Sequence, residues 1–207
     1  MKTGRRQEIL EVLARELELR PGSRITTANL AAAVGVSEAA LYRHFPSKAK
    51  MFDALIDFAE EAVFGLVNRI LEEDRQCPAR CARIASMVLL FAERNAGITR
   101  VLMGDILVGE NERLRARVAQ FFDRLETQFR QILRDGVLTR DLQPDRAEIH
   151  SAANLLLVTL SGRLGQFVRS GYRVSPYAGW DGLWPVLARG IFSVHPGRED
   201  AGPQAVI

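Results

Sequence analysis

An all-α fold, with about nine helices, is the class that this sequence predicts. Apolar residues recur at helical spacing in most segments, and no segment alternates apolar and polar residues as a half-buried strand does. Capping residues stand where the helical patterns start, and Gly or Pro stands where several of them stop. With 47% apolar and 26% charged residues among 207, the composition is that of a folded globular chain.

The first helix carries an apolar stripe in "RQEILEVLAREL" and ends at the Pro-Gly of "RPGS". Thr26 or Thr27 is predicted to cap a second helix, and Gly35 to end it, because glycine readily adopts the left-handed conformation. Ser37 is predicted to cap a third helix, which "FPS" terminates. The same reasoning gives a fourth helix over 48–71, capped by Ser47, and later helices over 79–94, 98–108, 112–133, 146–170 and 181–194.

The second and third helices form a candidate DNA-reading surface. Leu41 and Phe45 lie one turn apart and are expected to be buried, while Ala39, Tyr42 and Arg43 share the opposite face. Two helices joined across a short turn with such a face form a helix-turn-helix, whose second helix enters the DNA major groove. An ordinary helical hairpin with a polar face is the alternative.

Basic residues support the nucleic-acid interpretation. Residues 1–50 contain nine Lys and Arg against five Asp and Glu, whereas the rest of the chain is nearly balanced. Lys48 and Lys50 fall in the first turn of a helix, where a cation opposes the macrodipole unless an anion such as a DNA phosphate is near. Hydroxyls and free backbone N–H groups at the helix start near Thr26 and Thr27 can also hold a phosphate, and His44 can do the same from the flank of the third helix.

The stretch "ITTANLAAAVGVSEAALYRHFPSKAKMFDALI" resembles the DNA-binding domain of the TetR family, through its helix-turn-helix and the following Leu-Tyr-x-His-Phe and Lys. The resemblance implies a homodimer on palindromic double-stranded DNA. It also implies a helix-turn-helix domain at 1–50 and a helical dimerisation and partner-binding domain at 51–195. The terminal stretch "HPGREDAGPQAVI" predicts a flexible tail at 196–207. The predicted DNA contacts are Thr26, Thr27, Ser37, Ala39, Tyr42, Arg43, His44 and Lys48, with Arg5 and Arg6 as an arm.

Later segments, "FAERNAGITRVL", "FVRSGY" and "WDGLWPV", resemble one branch of that family. Members of this branch bind chromosomal palindromes as dimers and engage the C-terminal tail of the division protein FtsZ. The resemblance therefore implies a nucleoid-associated protein that opposes assembly of the division ring, with Phe58, Arg94 and Asn95 as partner contacts. Gly65 and Leu66 depart from the pattern of the branch.

The segment "AANLLLVTLSGRLGQFV" is apolar around more of its circumference than one intramolecular face can use, and its glycines permit close helix approach. We therefore expect dimerisation through the segments 146–170 and 181–194, with Leu156, Leu160 and Phe167 at the interface.

Other functional classes remain as alternatives or are disfavoured. Most TetR-like proteins are repressors released by a small apolar ligand, and a cavity for one could be lined by Met87, Phe91, Met103, Phe121, Phe122 and Phe129. At helical spacing such residues are more often core, so no small-molecule ligand is expected. Scattered histidines and the lack of a phosphate-binding glycine loop argue against an enzyme, and an isolated Cys77–Cys81 pair argues against zinc, so no cofactor or metal is expected.

The cellular location follows from the apolar runs and the N-terminus. The longest apolar runs are far shorter than a bilayer-spanning segment, and the N-terminus lacks an apolar core with a cleavage site. A cytoplasmic protein without a membrane partner is expected.

Overall fold

The computed structural model describes residues 4–107, 112–139 and 146–192. These residues form nine α-helices and no strand, which confirms the all-α prediction. The helices are α1 Arg5–Leu19, α2 Thr27–Val34, α3 Glu38–His44, α4 Lys48–Glu73, α5 Cys77–Arg94, α6 Ala96–Leu102, α7 Glu112–Leu138, α8 Arg146–Arg169 and α9 Trp180–Phe192. The tail predicted at 196–207 and the predicted helix ends at 108 and 194 lie outside the described residues.

The predicted caps set the geometry of the first four helices. Thr26, rather than its neighbour, caps α2 by accepting a hydrogen bond from the Asn29 N–H at 3.2 Å. Gly35 ends α2 with a φ of 76°, in the left-handed region. Ser37 and Ser47 cap α3 and α4 through their hydroxyl oxygens in the same way.

Several predicted helix boundaries differ from the structure by a few residues; α7, for example, ends at Leu138 rather than at 133. The sixth helix, predicted over 98–108, ends at Leu102 because Gly104 adopts a φ of 76°, and a short 3-10 turn, Asp105–Leu107, follows. The fifth helix begins at Cys77 rather than near residue 79, because the first turn of a helix tolerates a proline such as Pro78.

Helix α6 contacts α1 and the residues that follow it, and so connects the N-terminal helices to the rest of the chain. At Gly97 an added Cβ would lie 1.9 Å from the Ala14 carbonyl oxygen, so α6 and α1 touch through backbone. The Arg100 side chain, only 3% exposed, donates to the carbonyls of Arg20 and Ser23 at 2.9 Å each. These carbonyls follow the end of α1, where acceptors lack intrahelical donors, so α6 satisfies them.

The burial of α8 corrects the predicted dimer contacts. Leu156, Leu160 and Phe167 are 1%, 1% and 3% exposed within the single chain, so they belong to its own core and do not face a second copy. The outward side of α8 instead carries Leu155 and Val158, which are 43% and 57% exposed. The segment therefore does expose apolar side chains, but these belong to Leu155 and Val158 and not to the three predicted residues.

None of the helices within the described ranges is long and apolar enough to span a bilayer.

Candidate nucleic-acid interface and peptide groove

Helix α3 presents the surface that the sequence predicted. Leu41 and Phe45 are fully buried, which fixes the rotation of the helix. Ala39 and Arg43 are exposed, and Tyr42 retains 42% of its accessible surface. A small residue near the helix start, with a phenol and a guanidinium further along, therefore faces solvent as one strip.

Hydrogen bonds hold this strip in place. The Thr27 hydroxyl donates to the Glu38 carboxylate at 2.7 Å, which joins the start of α2 to the start of α3. The Arg6 guanidinium donates to the His44 carbonyl oxygen at 2.5 Å and lies 4.1 Å from the centre of the Phe45 ring. Arg6 thereby fixes the C-terminal end of α3 against α1.

The predicted N-terminal arm takes a different form. Arg5 and Arg6 lie in the first turn of α1, and Arg5 pairs with Glu8 at 2.8 Å. These two residues are therefore helical and not part of an extended arm. Their guanidinium groups remain at the N-terminal edge of the same domain.

The start of α4 is cationic at its surface and acidic beneath. Lys48 is half-buried beside the Phe52 ring, and Lys50 pairs with Asp53 at 2.9 Å. Burial raises the pKa of Asp53, but hydrogen bonds from Lys50 and Arg117 outweigh it and the net pKa is lowered. Asp53 is therefore ionised and compensates the lysine that opposes the helix dipole.

Arg117 of α7 connects this region to the C-terminal helices. Its guanidinium contacts Asp53 at 2.7 Å and both Asp57 and Glu60 at 2.8 Å. Burial alone would lower the pKa of Arg117, but the hydrogen bonds to Asp53 and Asp57 and the nearby charges raise it. Three carboxylates on one face of α4 therefore share one permanent cation from another helix.

The predicted partner residues lie on one groove of about 240 Å³. Phe58 of α4, Arg94 at the end of α5 and Asn95 directly after it all line it, and Phe58 is 41% exposed. The partner residues named from the sequence come only from α4 and from the end of α5. In the structure α1 is a third wall, and its groove-lining residues are Gln7, Leu10, Glu11, Ala14, Arg15 and Glu18.

The groove combines an apolar surface with a cation at its rim. Leu10, Leu55 and Ile98 line it beside the Phe58 ring. Arg94 is exposed and has no ion pair within the described part of the chain. Asn95 uses its side-chain N–H to cap α5 through the Phe91 carbonyl at 2.8 Å, which leaves its amide oxygen as an acceptor.

Sequence patterns missed two groups of residues that position these surfaces. In the sequence Arg117 and Arg100 look like ordinary surface cations, because the partners of Arg117 lie 57 to 64 residues away and the carbonyls that Arg100 contacts lie 77 to 83 residues away. The α1 wall was missed for the same reason. Gly97 was the one available signal, since a glycine inside a helical pattern can mark a close backbone approach.

Comparison with known proteins decides the family. The model for bacterial regulatory proteins of the tetR family matches residues 9–55. The model for the tetracyclin repressor-like C-terminal domain matches residues 75–191, more than half of the chain. This chain is a TetR-family regulator.

This TetR-family regulator is similar to proteins named nucleoid occlusion factor SlmA. It is 50% identical to the one from Marinomonas sp. (strain MWYL1) over 190 residues, covering 92% of this chain and 96% of the relative. It is 51% identical to that of Shewanella pealeana over 185 residues, covering 88% and 92%.

Solved structures share the fold at low identity. The MbdR regulator from Azoarcus sp. CIB aligns with a TM-score of 0.76 and 16% identity, covering 90% of this chain and 98% of that one. FadR from Bacillus subtilis aligns with a TM-score of 0.69 and 16% identity, covering 89% and 98%. These likenesses concern the fold alone.

Proposed function

We propose that this protein is a nucleoid occlusion factor that binds chromosomal palindromes as a homodimer, contacts FtsZ and opposes assembly of the division ring over the nucleoid. The similarity to SlmA proteins over nine-tenths of the chain supports this function. The observation that carries it is the groove in which Phe58, Arg94 and Asn95 meet against α1 of the DNA-binding domain.

DNA recognition follows from the exposed strip of α3. Two such helices related by a two-fold axis enter successive major grooves, so the operator is a palindrome with half-sites about one helical turn apart. Ala39 approaches the bases, where it can contact a thymine methyl, and Arg43 reaches a guanine edge. The backbone contacts come from Arg5, Arg6, Thr26, Thr27, Ser37, Tyr42, His44 and Lys48.

The side of the groove that carries Phe58 and Arg94 suits an extended peptide that is both apolar and acidic, whereas Glu11 and Glu18 on the α1 wall repel a carboxylate placed there. A carboxylate of the FtsZ tail pairs with the exposed Arg94 guanidinium through two parallel hydrogen bonds. Apolar side chains of the tail cover the Phe58 ring and the neighbouring apolar lining. An aromatic anchor next to an arginine is a common composition for an interface hot spot.

DNA and peptide are expected to influence each other. Helix α1 carries Arg6 at the DNA-facing end and lines the groove along its length, while α4 begins at Lys48 and carries Phe58. A shift of either helix on the operator therefore alters the groove. Linkage then requires the FtsZ tail to tighten operator binding by the same factor by which the operator tightens tail binding.

Genome-wide occupancy tests this function against a local repressor that senses an apolar ligand. Nucleoid occlusion predicts many chromosomal sites that avoid the replication terminus. A single peak beside the protein's own gene would contradict the proposal. Phe121, a candidate for lining a ligand cavity, packs edge-on with Phe64 at 5.5 Å and with Phe122 at 5.3 Å between ring centres, as core residues do, which disfavours the ligand-sensing alternative.

A further inference from the structure

A second cleft, of about 580 Å³, lies on a different part of the molecule from the peptide groove. It opens between the loop that joins α1 to α2, the end of α6 and the C-terminal end of α8. Pro21, Met103 and Val168 supply apolar surface, and Tyr172 adds an aromatic ring that packs on Phe167 at 5.2 Å. The proposed contacts with DNA and with FtsZ use none of these residues.

Three guanidinium groups line this cleft against one carboxylate. Arg100 is buried there, and its ion pair with Asp105 at 2.7 Å neutralises that carboxylate. Arg169 and Arg173 are exposed, and the single hydrogen bond found for Arg173 runs from Nε to the Ser170 carbonyl. Within the described ranges Arg169 has no hydrogen bond or ion pair. The cleft therefore carries an excess of positive charge with unused N–H donors.

Capping of α8 does not account for these arginines. The carbonyl oxygens at the end of the helix already accept backbone hydrogen bonds, from Tyr172 N–H to Phe167 at 2.9 Å and from Gly171 N–H to Val168 at 3.0 Å. The Ser170 hydroxyl adds a bond to the Phe167 carbonyl at 2.8 Å. A cation is thus not needed to satisfy this helix end.

Gly165 leaves room for the Arg169 guanidinium beside α8. A Cβ added at Gly165 would lie 2.8 Å from one terminal nitrogen of Arg169 and 3.8 Å from the Met103 methyl. The guanidinium therefore folds back along α8, away from the helix end, and occupies space that any side chain at this position would take. This places it beside the apolar surface of the cleft rather than at the helix dipole.

We propose that this cleft binds a small organic phosphate of nucleotide size. Arg169 and Arg173 bind the phosphate oxygens, because guanidinium groups match phosphate geometry through paired N–H donors. The apolar or aromatic body of the ligand lies on Met103 and Val168. A cleft of this volume, concave and largely preformed, is typical of small-molecule sites.

Isothermal titration of the full-length protein, without DNA, tests the site. The probes are adenosine 5′-monophosphate, guanosine 5′-triphosphate, pyrophosphate and adenosine. We expect at least one nucleotide to bind about tenfold or more tightly than pyrophosphate or adenosine, because only nucleotides fill both parts of the cleft. Binding also raises the melting temperature, since the unfolded chain has no site.

Three variants in the cleft and one control outside it separate specific binding from a general attraction of anions to a basic protein. Arg169→Met and Arg173→Met should each weaken nucleotide binding by about tenfold, because each removes charged hydrogen bonds. Gly165→Ala keeps both charges but displaces the Arg169 guanidinium, and should weaken binding as well. Arg134→Met, on an exposed arginine of α7 that lines neither the cleft nor the segments expected to dimerise, is the matched control and should bind normally.

Two results would overturn the proposal. One is the absence of nucleotide binding to the wild-type protein at millimolar concentration. The other is equal nucleotide affinity in the wild type and in the Arg169→Met and Arg173→Met variants. Since the titration contains neither operator nor FtsZ, either result leaves the nucleoid occlusion function untouched.

Discussion

At the scale of single residues, Arg117 gives the clearest test of the stabilising contacts. Its side chain is 19% exposed and pairs with Asp53, Asp57 and Glu60 of α4. Arg117→Met leaves these carboxylates close together without their shared cation. We expect a loss of about 2 kcal/mol in the free energy of unfolding, less than for a fully buried pair because Asp57 is largely exposed. Urea denaturation at pH 7 measures it.

Arg115→Met is the matched control, since Arg115 lies on the same helix and faces solvent. It should change the free energy of unfolding by less than about 0.5 kcal/mol. Equal losses in the two variants would show that Arg117 contributes only as a helix residue and not through the carboxylates.

Acid should remove the stabilisation that Arg117 and the carboxylates of α4 provide. The pKa of Asp53 is lowered in the folded protein from its ordinary value of 3.8, so the stabilisation is fully present above 3.8 and is lost as the pH falls through the lower folded value. The stability difference between wild type and Arg117→Met should therefore shrink below pH 3.8. Thermal melts between pH 2 and pH 7 measure it, and a difference that grows with acid would contradict the assignment.

The salt dependence of DNA binding tests the predicted role of Lys48. As a phosphate contact, its loss should weaken binding to all DNA sequences alike and reduce the salt dependence of operator binding by about one unit of slope. A salt titration of operator affinity for wild type and Lys48→Ala measures the slope. An unchanged slope would contradict the phosphate role.

At the scale of helices, the sequence predicts those helix starts and ends that depend on neighbouring residues. The caps at Thr26, Ser37 and Ser47 and the stop at Gly35 are local hydrogen-bond and backbone preferences, and they fall where the pattern predicted them. Contacts between distant helices leave no periodic signal. The Tyr172 hydroxyl, for instance, donates to the Leu17 carbonyl 155 residues away.

The contact of α6 with α1 is one such distant contact, and Gly97 tests it. Because an added Cβ would overlap the Ala14 carbonyl, Gly97→Ala should separate the two helices and cost about 2 kcal/mol of unfolding free energy. Gly65→Ala is the matched control, since nothing lies within 4 Å of the added atom. It should stabilise α4 by about 0.5 to 1 kcal/mol. Chemical denaturation of both variants provides the comparison, and a stable Gly97→Ala would contradict the close approach.

At the scale of the whole molecule, sequence reasoning predicts the helix of the dimer interface but not its contacting side. Apolar periodicity indicates that the α8 segment has more apolar residues than one buried face needs. It does not decide which side faces the protein's own core. That depends on how α8 packs on α5, α6 and α7. The structure assigns Leu156, Leu160 and Phe167 to the core and leaves Leu155 and Val158 outside.

Charge placed on the two sides of α8 should have different consequences. Val158→Glu should yield folded monomers with weakened operator binding, because a four-helix interface would bury the uncompensated carboxylate. Leu156→Glu should abolish the cooperative thermal transition instead, since its side chain is 1% exposed in the single chain. Leu66→Glu, on the outer side of α4, is the control. Light scattering that reports full dimers for Val158→Glu would place the interface elsewhere.

We expect the groove to capture the FtsZ tail, and to do so best when the protein is bound to DNA. The most direct measurement is the affinity of an FtsZ C-terminal peptide for wild type, Phe58→Ala and Arg94→Asp, each with and without operator. Arg134→Asp reverses an exposed charge on α7, outside the groove, as the control. We expect tight binding by wild type and Arg134→Asp that the operator strengthens, and loss of binding in both groove variants. Normal binding by the groove variants, or none by wild type even on operator DNA, would contradict the account.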